Sequence, residues 1–171
     1  MSISPTQNEQ LLRDDDVIVS KTDLKGRITY TNHIFRRVSQ FEEDELLGKA
    51  HNLVRHPHMP RCVFKFMWQR LQSGKEIFAY VKNICKNGDY YWVFAHVTPT
   101  FDDAGNIRSY HSARRKPEAA KIRKIEAFYG KLLAEEKKYD RPKEATEKSY
   151  ELLLKSLDEQ AVSYDEFIFN L

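Results

Sequence analysis

A chain of 171 residues, 41% of them hydrophobic and 12% aromatic, suffices for one domain with a real core plus an extension. Its formal net charge is only +3, and no basic cluster of the kind that nucleic-acid binding requires stands on any one element. Cys62 and Cys85, with no CxxC between them, argue against a disulfide scaffold and fit a reducing compartment.

Residues 1–14 are polar apart from Leu11 and Leu12, which predicts a short helix or a frayed arm. The runs around "VIVSKT" and "RITYTN" flank Asp23-Leu24-Lys25-Gly26 and read as a β-hairpin. Ile28 and Tyr30 alternate with polar neighbours, so the second strand has one buried face. Asn32 is placed to cap a short helix carrying Ile34, Phe35 and Val38. A second short helix in "FEEDELLGK" stops at Gly48. The loop "HNLVRHPHMP", residues 51–60, then leads into "CVFKFMWQRL", where Phe64, Met67, Trp68 and Leu71 form a helical stripe.

Three further strands follow. "EIFAYVKNICK" meets "YYWVFAHVTPTF" across Asn87-Gly88-Asp89, a strong hairpin signal, and "NIRSYHSARR" follows a second turn. The middle strand is apolar on both faces, with Tyr91, Val93, Ala95 and Val97 on one and Tyr90, Trp92 and Phe94 on the other, so both should be covered. Residues 117–139 are helical, with a stripe from Ile122 to Leu133. "DRP" breaks them, and a second stripe runs from Tyr150 to Ala161 before the apolar tail "FIFNL".

Strands joined by hairpins give an antiparallel sheet and an α+β fold. The expected organisation is an N-terminal arm or cap (1–14), a sheet domain (15–116) with short helices over one face, and a C-terminal helical extension (117–171). The most apolar segment is too short to cross a bilayer, and the N-terminus lacks the apolar core of a secretory signal. A cytoplasmic protein without direct membrane insertion is expected.

Three histidines and an arginine within residues 51–60 call for explanation. On the residues alone, Arg55 and His56 could bind an anionic ligand or cap local carbonyls. His51, His56 and His58 could ligate a metal, although the spacing lacks the cysteines of a structural zinc site. His56 or His58 could also be an axial haem ligand. There is no Gly-rich phosphate loop, nucleophile elbow or HExxH, so no catalytic set is assigned.

The stretches "TDLKGRITYTN", "ELLGKAHNLVRHPHMP", "FMW" at 66–68 and "VKNICKNGDYYWVFAHVTP" resemble the flavin-binding PAS domain of aerotaxis receptors, over roughly residues 15–135. The resemblance implies a PAS fold, noncovalently bound FAD and redox or energy-state sensing. It carries Arg55, His56, Trp68 and Asn83 as cofactor-binding or signalling positions, with Asn32 and His51 as further matches. His58 stands where the family commonly has aspartate. Asn83 would face the flavin and turn its amide on reduction. Cys62 lacks the surroundings of a photosensor adduct cysteine and reads as a small buried residue. A haem-binding PAS gas sensor and a cofactor-free PAS interaction module are the alternatives. The signal would leave by contact with a membrane chemotaxis transducer or another signalling protein, with a homodimer possible. The second stripe and the tail are expected to serve that assembly.

Overall fold

The computed structural model describes residues 3–171. Strands β1 (Val17–Thr22) and β2 (Ile28–Thr31) form the first hairpin. Helices α1 (His33–Ser39) and α2 (Glu43–Leu46), a 3-10 turn (His51–Val54) and helix α3 (Arg61–Gln72) follow. Strands β3 (Ile77–Ile84), β4 (Tyr90–Phe101) and β5 (Ile107–Arg115) complete a five-stranded antiparallel sheet of order β2-β1-β5-β4-β3. Helices α4 (Ala119–Glu136), α5 (Pro142–Glu159) and α6 (Tyr164–Phe169) close the chain. The expected α+β architecture stands: a five-stranded sheet, short helices over one face and additional C-terminal helices.

Of the readings for the N-terminal segment, the short helix and the frayed arm do not hold, and the segment lies against the β3–β4 turn. It is neither helical nor frayed over the described residues; residues 1–2 lie outside them. Gln10 N–H donates to the Tyr90 carbonyl (2.7 Å), Tyr90 N–H to Asn8 (3.0 Å) and Thr6 N–H to Gly88 (2.8 Å). Leu12 is buried. The arm thus satisfies backbone groups beside the β3–β4 turn, an edge interaction that its polar composition does not announce.

The two faces of the sheet have different covers. The outer face, with Tyr90, Trp92 and Phe94, is covered by the chain's own helices. Tyr129 of α4 stacks on Trp92 and donates its hydroxyl to the Tyr80 carbonyl at 2.8 Å. Phe169 of α6 meets Phe78 and Phe94 at ring distances of 4.9 and 6.1 Å.

The second stripe and tail, expected to serve assembly, are packed largely within the chain, with Leu154 and Phe169 left exposed. Leu153 and Leu157 of α5 are buried, as are Tyr164 and Ile168 of α6. Helix α5 packs on both α3 and α4. Burying one such leucine contributes about 1.5–3 kcal/mol, so the stripe has an intramolecular use. Polar contacts tie the extension to α3 as well. Lys65 pairs with Glu147, Arg70 with Asp165 (2.8 Å), and Tyr150 donates to Gln69 (2.5 Å).

Candidate functional site

Helix α3 crosses the inner face of the sheet with its apolar stripe inward. The stripe residues Phe64, Met67, Trp68 and Leu71 form one wall of a cavity of about 390 Å³. The opposite wall is the sheet: Val81 and Asn83 from β3, Ala95 and Val97 from β4, Tyr110, Ser112 and Arg114 from β5, Ser20 and Thr22 from β1. These positions alternate along each strand, so one pleat face supplies them all. Lys25 and Gly26 of the first hairpin and Ala50, His51, Asn52 and Arg55 complete the rim. The size lies within the range of small-molecule and cofactor sites, and the lining is largely apolar with a few polar groups.

Gly26 has φ of +74°, and a Cβ there would lie 3.0 Å from Trp68 Cζ2. The glycine lets the hairpin turn and leaves space for the indole. Trp68 also meets Tyr110 edge-on, with ring centroids 5.3 Å apart.

The 51–60 loop is fastened to the free edge of β3. Arg55 forms a backbone bridge with Asn83, and His56 N–H donates to the Lys82 carbonyl (3.3 Å). The Arg55 guanidinium donates to the Met59 carbonyl (3.0 Å) and lies 4.4 Å from the Phe64 ring centroid. Burial lowers its pKa from the ordinary arginine value. Arg55 lines both the cavity and a more polar groove of about 480 Å³, which it shares with Asn52, His56, Pro57 and Arg61.

The structure thus brings His51, Arg55, Trp68 and Asn83 to one cavity and leaves Asn32, His56 and His58 off its wall. The Asn32 side chain is committed locally. Its carbonyl accepts from the backbone N–H of Phe35 (3.0 Å) and Val19 (3.1 Å), and its amide donates to the Val17 carbonyl (2.7 Å). It caps α1 and ties it to β1. His56 is buried against the Tyr90 and His58 rings. Its Nδ1 accepts the His58 backbone N–H (3.0 Å), which leaves the proton of the neutral ring on Nε2. Burial, with Lys82 and His58 nearby, pushes its pKa down to about 4. His56 lines the groove, whereas His58 lines neither space.

His51 stacks on Phe35, and its Nε2 lies 3.1 Å from Ser20 Oγ and 2.7 Å from an Arg114 nitrogen. Burial and the Arg114 charge push its pKa down to about 3. The three loop histidines therefore have three different surroundings. Among the described residues, no three His, Cys, Asp or Glu side chains converge as a metal site. Cys62 is buried away from the cavity lining, and burial raises its thiol pKa to about 11.

Sequence reasoning missed Arg114. It is 4% exposed and reaches the cavity from β5, and burial lowers its pKa to about 10. Strand alternation in "SYHSARR" puts Tyr110, Ser112 and Arg114 on one face. The signal lay in the inward register of that charge.

A five-stranded antiparallel sheet roofed by short helices, with a ligand-sized cavity between, is the architecture of a PAS sensor domain. The chain belongs to the PAS-fold family, which its sequence matches over residues 28–114. It is 41% identical over 129 residues to the aerotaxis receptor of Escherichia coli (strain K12), covering 75% of this chain and 25% of that one. It is 27% identical over 105 residues to the nitrogen fixation regulatory protein of Klebsiella pneumoniae, covering 61% and 21%. The chain therefore spans about a quarter or less of these relatives. In structure it is similar to the dark state of the blue-light photoreceptor Aureochrome1 LOV, with a TM-score of 0.57, 22% identity, and 62% of this chain and 79% of that one covered. Among the described residues, no helix is long and apolar enough to cross a membrane.

Proposed function

We propose that this PAS domain holds FAD and acts as a cytoplasmic redox or energy-state sensor rather than as an enzyme. The observation that carries the reading is a pair of spaces with Asn52 and Arg55 in the walls of both. A mostly apolar cavity suits a flat ring system, and the groove with Arg55, Arg61, Asn52 and His56 suits a pyrophosphate and its adenosine. The fit is supported by chemistry at both ends: a wall of Trp68 and Met67 for stacking, and buried donors from Arg114 and Asn83 for a polar ring edge.

When bound, the flavin accepts and releases electrons, gaining hydrogen or negative charge on its ring. The chain's part is to hold the ring and transmit the change. Asn83 presents to the cavity an amide that can both donate and accept. Its neighbour Lys82 points to the other face of β3, where its ammonium lies over the Tyr90 ring (4.0 Å) and reaches Glu126 of α4 (3.4 Å). One strand step thus connects the cavity to the outer helix layer. From there the signal passes by contact to a chemotaxis transducer or a second copy of the chain. For haem, the sequence named His56 and His58 as axial candidates, and neither lines the cavity.

Purified protein should be yellow, with a flavin absorption spectrum and FAD as the mass of the extracted cofactor. The Arg55→Ala variant should retain at least tenfold less FAD, because a hydrogen bond to a charged group contributes about 1.5–3 kcal/mol. A folded chain that binds no flavin on reconstitution, or one with a Soret band, overturns the proposal.

A further inference from the structure

The groove that Arg55 shares with the main cavity is not built by the sheet and its helices alone. Ile3 of the N-terminal arm lines it, together with Leu53, Pro57 and Ile84. The arm reaches this place because the β3–β4 turn holds it there. Thr6 N–H donates to the Gly88 carbonyl (2.8 Å), and the Thr6 hydroxyl donates to Asp89 (2.6 Å). The same carboxylate accepts from the side-chain amides of Gln10 (3.3 Å) and Asn87 (2.8 Å). Gly88 belongs to the fit, since a Cβ at that position would collide with the Ser4 carbonyl oxygen. A polar segment is thus fixed by specific bonds, and the fixing carries one apolar side chain into a groove otherwise rich in polar groups.

A second observation says that the groove awaits a ligand. His56 lines it, and the proton of its neutral ring is on Nε2. That nitrogen is buried and has no hydrogen-bond partner among the described residues. A buried donor without an acceptor is costly, so the acceptor is expected from outside the chain. An adenylate unit meets every demand of the place. Its phosphate oxygens suit Arg55 and Arg61, its ring nitrogens are acceptors, and its flat base suits the apolar side chains. We propose that the N-terminal arm is a wall of the adenylate subsite, so that Ile3, positioned by Thr6 and Asp89, makes the domain select the dinucleotide FAD over the mononucleotide FMN. The proposal rests on the flavin reading of the main cavity. FMN carries the same ring and lacks the adenylate, so the arm discriminates without touching the ring. The coupling is reciprocal: a ligand that binds better when the arm is seated also holds the arm in its seat.

The test compares the affinities of the flavin-free full chain for FAD and for FMN, read by quenching of flavin fluorescence. Ile3→Ser should weaken FAD binding about fivefold or more and change FMN binding less than about twofold, because apolar contact is lost at one end of one ligand only. Thr6→Val, which loosens the arm without altering the groove lining, should cause the same selective loss to a smaller degree, and Thr6→Ser should restore wild-type behaviour. FAD, and not FMN, should slow hydrogen exchange at the Thr6 and Gln10 amides. Equal losses for the two flavins, unchanged FAD affinity in Ile3→Ser, or equal protection of the arm by both flavins overturns the proposal. If the wild type binds neither flavin, the flavin reading fails separately. The subsite is then read with ADP, which should raise the melting temperature of the wild type more than that of Ile3→Ser. Equal responses, or none, overturn the subsite as well.

Discussion

Helix α3 begins without a cap of its own. Pro60 occupies the N-cap position and makes no side-chain cap bond, and the first turn holds no acidic residue. The missing acceptor comes from 75 residues away. Glu136 Oε1, at the end of α4, accepts from the backbone N–H of Arg61 (2.7 Å) and of Cys62 (3.3 Å), and from Ser149 Oγ of α5 (2.9 Å). Replacing Glu136 by alanine removes a cap, at about 1 kcal/mol, and charge-assisted bonds, at about 1.5–3 kcal/mol. These overlap, since the cap is made of those bonds, so we expect a net loss of about 2–3 kcal/mol. At ~2–4 °C per kcal/mol for a chain of this size, Glu136→Ala should melt roughly 4–12 °C lower. Glu136→Gln keeps the acceptor and loses the charge, so it should lose about half as much. Urea unfolding should show a lower midpoint with an unchanged slope. A Glu136→Ala midpoint equal to that of the wild type would refute the idea that this carboxylate holds α3 to the extension.

Truncation after Tyr139 should destabilise the protein and expose apolar surface to a hydrophobic dye, because α5 and α6 bury Leu153, Leu157, Tyr164 and Ile168; a truncated chain as stable as the full one would contradict this packing. Asp16 is buried, which alone would raise its pKa, but hydrogen bonds from Arg37 and the Arg13 backbone lower it on balance. Its contribution is therefore present above the ordinary carboxylate pKa of ~3.9 and is lost as pH falls through the lower folded value. Asp16→Asn should be less stable at pH 7, and the gap in urea midpoint should close toward pH 2–3. Gly26→Val should displace Trp68 and lower flavin occupancy severalfold, measured as the ratio of flavin to protein absorbance, since even a Cβ meets the indole at 3.0 Å.

Local patterns were legible and long-range closures were not. The stripe at Phe64, Met67, Trp68 and Leu71 announced an apolar helix face, and that face became the cavity wall. The Asn87-Gly88 turn set the β3–β4 hairpin and with it the inward side of Asn83. The histidine loop was harder to read, because its imidazoles divide between two places: His51 turns to Ser20 and Arg114 in the cavity, while His56 and His58 meet edge-on outside its wall. Arg114 was hidden for another reason. Its facing depends on a register that shifts at Thr100/Phe101, and a basic strand residue usually points to solvent. No local rule predicts that Glu136 caps a helix starting at Arg61.

Helix α3 is held from two sides. One side faces the cavity; the other carries Phe66 and Arg70 against Tyr164 and Asp165 of the extension. Because a single rigid rod serves both, the two sides are thermodynamically linked. If a ligand favours one position of α3, any macromolecule that grips α5 or α6 and favours the same position raises the ligand's affinity by the same factor by which the ligand raises its own. The extension is thus a place from which a bound protein could set the affinity of the cavity for its ligand, without touching the cavity itself.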